Sequence, residues 1–341
     1  MENESIFKSS FTNMFQPGNN AEEISDTYVY HYTNAKALIS IFEDKNLRFS
    51  DIRYMNDRSE MVFFVKRLIE FITDNGEQHP FFRDAVNELL AENKYSQILD
   101  LSINKIQYKD VYERKMMTHR TFIFCTCDKP DLLNMWNYYA SGGTYSGYNI
   151  GFSVKNFLKT FDTEQERKTE QERKLDSFVV YYGHVLYDKK KQYEAIDELA
   201  RKIEKQFGRD KKINHAAITI QWYIEQQGAF FKDDSFSSEK EYRFLLSIAD
   251  NRIPYNEEDA QKYFGKYNKK LCEKFYDRNG VIVPYMQVAI PENSVSRITV
   301  SPMTEYEIAK NSIKELLKAN GILSTTNKEV AVYKSNIPIR F

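Results

Sequence analysis

"TYVYHYTNAKALISIFEDKNLRFS" occupies residues 27–50, and its three parts decide how the chain is read. "TYVYHYT" (27–33) alternates aromatic and β-branched residues, the period-two pattern of a strand. "NAKALISIFED" then sets Ala37, Leu38, Ile41 and Phe42 on one helical face, with Thr33 as the expected cap and Asn46 as the expected left-handed stop. "LRFS" resumes as a short strand. Strand, helix and strand therefore follow one another with almost no connecting chain.

Working outward, "RYMNDRSEM" (53–61) reads as a loop, and the helical period that begins at "VFFVKRLIEFI" continues to about residue 118. "TFIFCTC" (121–127) is a strand. Pro130 and Asp131 are expected to open a helix with Leu132, Met135, Trp136 and Tyr139 on one face, closed by "SGG". "YNIGFSV" (148–154) reads as a second strand that pairs with the first, and "SFVVYYGHVLY" (177–187) as another. Two helices are expected over 188–231, followed by a strand at "EYRF", a long polar helical stretch, and the strands "GVIVPYMQVAI" and "RITVS". The helix "EYEIAKNSIKELLKAN", stopped by Gly321, and the strand "EVAVYKSNIPIRF" end the chain.

Strands interrupted irregularly by helices predict an α+β fold and not a regular βαβ alternation. Residues 1–26, with the turn "QPGNN", are expected to be a mobile lead-in. Residues 27–341 are expected to form a single domain with helical insertions at about 61–118 and 188–231. The hexapeptide "TEQERK" is written twice, over 163–168 and 169–174, and its charge density marks a solvated helix or insertion without catalytic role.

Composition narrows the function classes. Hydrophobic residues make up 42% of the 341, enough for a full core, and 24 Tyr with 24 Phe are enough to line grooves as well. Basic and acidic residues nearly cancel, 48 against 49, which argues against a protein that coats nucleic acid by bulk charge. Local basic clusters remain at "RDKKINH" and "KYNKK". Three cysteines, Cys125, Cys127 and Cys272, cannot make a disulfide framework and suit a reducing compartment. With no basic n-region before an apolar core at the start, and no apolar run of membrane length, the expected location is the cytoplasm, with no membrane partner.

"SFSSEKEYRF" (235–244) sets Glu239 and Glu241 one residue apart at the mouth of a strand. Strand alternation would point both carboxylates to one face, and Arg243 with them. One reading is a solvated strand edge with Lys240 and Arg243 as partners; the other is a catalytic carboxylate pair. His31, flanked by Tyr30 and Tyr32 just before a helix start, is either a hydrogen-bonded core residue or a ligand-binding one. Trp136 and Tyr139 lie one helical turn apart and suit a core, or a stack against a base or nicotinamide ring. Cys125, Cys127 and His119 do not have the spacing of a zinc site, so no metal is expected. The sequence has no G-x-S-x-G, no Walker loop and no Rossmann fingerprint.

Taken together, "YVYHYTNAKALISIFEDKNLRFSDIRYMNDRSE", "FIFCTCDKPDLLNMWNYYASGGTYSGYNIGF", "GAFFKDDSFSSEKEYRF" and "VYKSNIPIRF" resemble the successive signatures of the DUF2971 family of bacterial proteins, over most of the chain from about residue 27. The H-Y-T opening, the helix and "LRFS" also resemble the first motif of ADP-ribosyltransferases, above all the nucleic-acid-modifying toxins of the DarT kind. "CTC" with Thr126 is similar to the second motif, and Glu239-x-Glu241 to the third; two cysteines stand where Ser is common, and the insertions between motifs are long.

That resemblance implies a split, mixed or antiparallel β-sheet core with large helical insertions. It also implies NAD as co-substrate and transfer of ADP-ribose to a macromolecule, RNA or DNA before protein, in a bacterial toxin or anti-phage effector restrained by an antitoxin or inhibitory protein. By the same resemblance Glu241 stabilises the sugar cation and holds the ribose 2′-hydroxyl, and Glu239 positions or deprotonates the acceptor. His31 and Thr33 bind a ribose hydroxyl, Tyr139 stacks on nicotinamide, Tyr32 either stacks there or is turned into the core by alternation, and Thr126 and Arg243 complete the NAD site, Arg243 by pairing with the carboxylate or a phosphate. The roles of Asn56, Asp57 and Glu60 stay open. The competing expectations are a nucleotide- or phage-protein-sensing module without turnover, and an NAD glycohydrolase.

Overall fold

The computed structural model describes residues 9–15, 24–55, 60–92, 119–140, 143–161, 178–249, 253–256, 258–260, 271–291 and 293–339. In chain order the elements are β1 (Thr12–Phe15), β2 (Tyr28–Thr33), α1 (Ala35–Asp44), β3 (Asn46–Asp51), α2 (Glu60–Asn75), α3 (Pro80–Glu92) and β4 (His119–Cys127). There follow the short α4 (Leu133–Met135) with a π turn to Ala140, β5 (Tyr148–Ser153), α5 (Val154–Leu158), β6 (Phe178–His184), α6 (Lys189–Ile203) and α7 (Ile213–Gln227). The rest of the chain supplies β7 (Glu241–Ala249), β8 (Cys272–Arg278), β9 (Val281–Ala289), β10 (Val295–Val300), α8 (Tyr306–Ala319) and β11 (Ala331–Lys334). The fold is α+β.

Eleven strands form one sheet with a backbone order β1-β6-β7-β4-β2-β5-β10-β11, and β3, β9 and β8 branch from β4. Every pairing is antiparallel except β10 with β11. The branch is the feature that matters. On one side β4 pairs with β7 along its whole length, from His119↔Ala249 to Cys127↔Glu241. On its other side it meets β3 only at Phe122 and Ile123, and β2 only at Cys127. Phe124, Cys125 and Thr126 therefore face a fork between β2 and β3, the two strands joined by α1.

Two cores clamp this sheet. Under one face α2, α3, α6 and α7 pack around Phe64, Phe82, Ile196 and Ile220 against Ile123, Tyr181 and Leu245. Under the other, α1, α5 and α8 bring Leu38, Phe42, Phe157 and Ile313 against Phe49, Phe122, Phe124, Phe152 and Phe244. Phe124 is central to the second, within 4.9–6.3 Å of the rings of His31, Phe49, Phe157, Phe152 and Phe244. Buried ion pairs hold the β3 arm of the fork: Arg120 donates to Asp51 at 2.7 Å and to Glu273 of β8, and Arg53 Nε donates to Asp51 at 2.7 Å. Burial opposes the charge on Arg120, but its hydrogen bond to Glu273 and the Asp51 charge outweigh it and raise its pKa.

Several sequence expectations need correction. Asn34, not Thr33, caps α1, accepting from Ala37 N at 2.9 Å, and Lys45, not Asn46, takes the left-handed stop at φ 52°. β5 pairs with β2 and β10 instead of β4. Residues 12–15 of the expected mobile lead-in are a strand on β6, where Gly183 leaves room for the Phe11 carbonyl, 2.7 Å from where a Cβ would stand. The polar stretch after β7 contains β8, which turns into β9 through Asn279 (φ 53°) and Gly280 (φ 81°), a two-residue hairpin of the kind that needs positive φ at both positions. The helix expected from Pro130 starts at Leu133, because Asp131 is occupied elsewhere: it accepts from Trp136 Nε1, Ser335 Oγ and Asn336 N, each at 2.7 Å, and so docks the C-terminal segment. The "TEQERK" repeat, "KYNKK", residues 93–118, Asn56 and Asp57 lie outside the described residues, as does the Glu60 side chain.

Phe124→Ala removes the ring that the second core shares with the fork. Urea denaturation should show a loss of about 3–5 kcal/mol, the range for a buried Phe replaced by Ala.

Candidate active site

The chain enters β7 through a 3-10 turn, Asp234–Glu239, started by Asp233, which accepts from Ser235 N at 3.0 Å. Lys240 follows in the left-handed conformation (φ 50°, ψ 44°), and Glu241 begins the strand. Glu239 is thus outside the strand, and alternation is not what brings the two carboxylates together. The reversal at Lys240 is. Lys240 itself is exposed, so of the two cations expected beside the pair only Arg243 is in place.

The second cation is Lys232. Its Nζ donates to Glu239 Oε2 at 2.7 Å and to Glu241 Oε1 at 2.6 Å, over the ring of Phe236 at 4.5 Å. Arg243 Nε donates to Glu241 Oε2 at 2.7 Å, and its Nη1 donates to the carbonyl of Ala229. Tyr139 donates its hydroxyl to Glu239 Oε1 at 3.1 Å, and the hydroxyl of Tyr187 accepts from Glu241 N at 3.2 Å. All four carboxylate oxygens are held. Lys232, Glu239, Glu241 and Arg243 are buried, so a low dielectric strengthens each of these contacts.

The environment separates the two acids. Burial opposes ionisation of Glu241, but the charges of Arg243 and Lys232 outweigh it and hold its carboxyl well below the usual carboxylate range. Glu239 is pushed up, by burial and by its hydrogen bond to Glu241, against the pull of Lys232. Burial likewise opposes the charge on Lys232, and Glu241 restores it. Tyr139 is pushed up by burial and by the two glutamates, so it serves as a neutral donor. Two adjacent carboxyl groups driven in opposite directions are the usual preparation for different chemical roles.

These groups line one side of a cavity of about 470 Å³. Its floor is the fork: Phe124, Cys125 and Thr126 of β4, Tyr30, His31 and Tyr32 of β2, and Arg48 and Ser50 of β3. His31 Nδ1 lies 3.4 Å from the Cys125 carbonyl, which the fork leaves available, and a carbonyl only accepts, so Nδ1 carries the proton and Nε2 is an acceptor. Burial lowers the His31 pKa to about 4, with the hydrogen bond to Cys125 opposing. The imidazole is neutral at physiological pH.

Over residues 135–244 the chain matches a family model described as "Protein of unknown function (DUF2971)". That stretch carries Tyr139, Lys232, Glu239, Glu241 and Arg243, but neither His31 nor Arg48. No curated protein and no solved structure matches the chain.

The structure brings His31, Tyr32, Thr126, Tyr139, Glu239, Glu241 and Arg243 to this one cavity. Thr33 is buried and is not among the residues that line it. Tyr32 presents only part of itself. Its ring packs on Trp136 at 4.7 Å, and its hydroxyl bridges the Lys129 carbonyl and Leu132 N, both at 2.9 Å, so it belongs chiefly to a small core with Met135 and Ala140. Thr126 donates to the Tyr242 carbonyl at 2.6 Å and is thereby fixed. Trp136 is buried, whereas Tyr139 is 45% exposed and is no core residue. The basic cluster "RDKKINH" forms the turn into α7 and does not line the cavity. Among the described residues no group of three His, Cys, Asp or Glu side chains is placed to hold a metal ion.

Sequence reasoning missed Lys232, Tyr187 and Arg48. The usable signal was for Lys232 alone: a lysine ending the apolar run "GAFF" beside two glutamates that need a buried counter-charge.

His31 should titrate near pH 4 in a two-dimensional NMR titration. From about 6.5 down to about 4 the unfolded chain binds a proton at this site that the folded chain does not, so stability falls with pH in that window and His31→Gln flattens the fall. Lys232→Met should cost about 3–5 kcal/mol, since it strands a buried charge, and adding Glu239→Gln should recover part of that in a double-mutant cycle read by urea unfolding.

Proposed function

We propose that the protein is an NAD-dependent ADP-ribosyltransferase that passes ADP-ribose to a macromolecule, a nucleic acid before a protein. The observation that carries this reading is the asymmetric pair Glu239 and Glu241 on one side of a cavity whose floor holds a neutral His31. The order of the motifs supports it too: His31 on the first strand of the fork, Thr126 on the middle strand, and the carboxylates where β7 begins.

Breaking the bond between ribose C1′ and the nicotinamide nitrogen sends the electron pair to nicotinamide and leaves an oxocarbenium-like sugar. Glu241, ionised throughout the physiological range, stands against that positive charge and accepts from the 2′-hydroxyl. Its two cationic partners do not consume its capacity, because each carboxylate oxygen has a second lone pair. Arg243 and Lys232 fix its direction instead. His31 Nε2 accepts from a ribose hydroxyl, a role that requires the neutral ring. The acceptor's nucleophile forms the new bond to C1′ and gives its proton to Glu239, whose pKa, pushed up, makes it the more basic of the two carboxylates. Tyr139 orients Glu239 by its hydrogen bond and offers a ring edge to the nicotinamide.

Purified protein incubated with NAD labelled in its adenylate half and a bacterial lysate should label one of the separated RNA, DNA or protein fractions. Glu241→Gln should lower the label by at least about a hundredfold, the scale of losing one transition-state electrostatic partner, while the variant stays folded. Nicotinamide release without macromolecular label would make the protein an NAD glycohydrolase. Absence of NAD loss with folded protein would leave a sensing module.

A further inference from the structure

A second cavity, of about 460 Å³, is lined by neither Glu239 nor Glu241 and shares His31, Arg48, Ser50 and Phe124 with the first. Its walls are α1, β3 and the β8–β9 hairpin. Arg48 is exposed and carries no ion pair among the described residues, yet its guanidinium is not loose. It lies over the rings of Tyr276 at 5.2 Å and Tyr285 at 5.3 Å, which themselves meet edge to face at 5.7 Å. The pairings Ser50↔Tyr285, Arg48↔Gln287 and Tyr276↔Val283 explain this, because they put Arg48, Ser50, Tyr276, Tyr285 and Gln287 on one face of the branch. The Gln287 side chain makes no hydrogen bond among the described residues, and the Asp44 carboxylate is engaged there only through Oδ2, by Ser40 Oγ at 2.8 Å.

We infer that this second cavity is a nucleobase-binding site. A guanidinium held within cation–π distance of two tyrosine rings makes with them a cationic aromatic wall, the kind of surface on which a heterocycle stacks. Gln287 offers a donor and an acceptor side by side, and Asp44 offers an acceptor, a set that matches the edge of a base with an exocyclic amine and a ring nitrogen, as adenine has. The base is either the adenylate end of a nucleotide that reaches across the fork, or a base of a single strand that threads past it. Both place the same ring on Arg48. The inference does not depend on turnover, since neither Glu239 nor Glu241 lines this cavity.

The test is calorimetric titration of the full chain with AMP and with a short oligoadenylate. Wild type is compared with Arg48→Ala and Gln287→Ala, whose folding is verified by thermal melting. Wild type should bind at least one probe, and Arg48→Ala should weaken it on the order of tenfold, the scale of one lost stacking partner. Neither probe carries a nicotinamide–ribose bond, so binding is read without turnover and this outcome stays separate from that of the transferase reading. In Glu241→Gln, displacement of the probe by NAD assigns the site to the dinucleotide's adenylate end, and binding of oligoadenylate undiminished by saturating NAD assigns it to a strand. Failure of both probes to bind wild type, or unchanged binding in both Arg48→Ala and Gln287→Ala, overturns the inference.

Discussion

A strand has two edges, and the outer edge of β4 is asked to serve two partners. β2 takes it at Cys127 and β3 takes it at Phe122 and Ile123, so the three residues between are left without a ladder. Backbone polar groups in such a gap need other partners, and His31 supplies one by reaching the Cys125 carbonyl. The same gap creates the cavity floor. α1 keeps β2 and β3 apart, and the Arg120, Asp51 and Glu273 pairs hold the β3 arm closed on β4. The sheet remains continuous on its other edge through β7, whose first residue is Glu241. Fork and carboxylate therefore belong to one rigid element.

The charge cluster beside the fork would be a poor choice if stability alone mattered. Four buried charged side chains cost desolvation that mutual attraction roughly offsets, and an apolar replacement of equal volume is often no worse. What the cluster does achieve is direction. Lys232 arrives from the segment after α7 and fixes one oxygen of each carboxylate, while Arg243 from β7 and Tyr139 from the π turn after α4 fix one oxygen apiece. Glu241 takes two full positive charges and stays ionised; Glu239 shares Lys232 and takes a neutral phenol. That unequal sharing sets the two acids apart.

Local pattern carried β2, α1 and β3, because alternation and a helical face are decided within a few residues. The same holds for α8 and its stop at Gly321. The carboxylate pair was also legible, though for a reason the structure replaces: Glu239 meets Glu241 through the left-handed Lys240 and not through alternation. Non-local facts were out of reach. Lys232, Tyr187 and Arg48 acquire meaning only when α7, β6 and the β8–β9 hairpin are packed against β7 and β3. β8 was obscured because Phe275 and Tyr276 stand side by side between Glu273 and Lys274 on one side and Asp277 and Arg278 on the other, which reads as polar chain until β9 pairs with it. β5 does not pair with β4 because β2, which precedes both in the chain, inserts between them.

The measurement that tests the account most directly is a carbon-13 NMR titration of the glutamate side-chain carboxyls, with Glu239→Gln and Glu241→Gln used to assign the two signals. The account predicts two steps driven apart, one belonging chiefly to Glu241 below the ordinary carboxylate range and one chiefly to Glu239 above it. Two overlapping titrations near the ordinary value would contradict it, and the separation of roles between the two carboxylates would go with it.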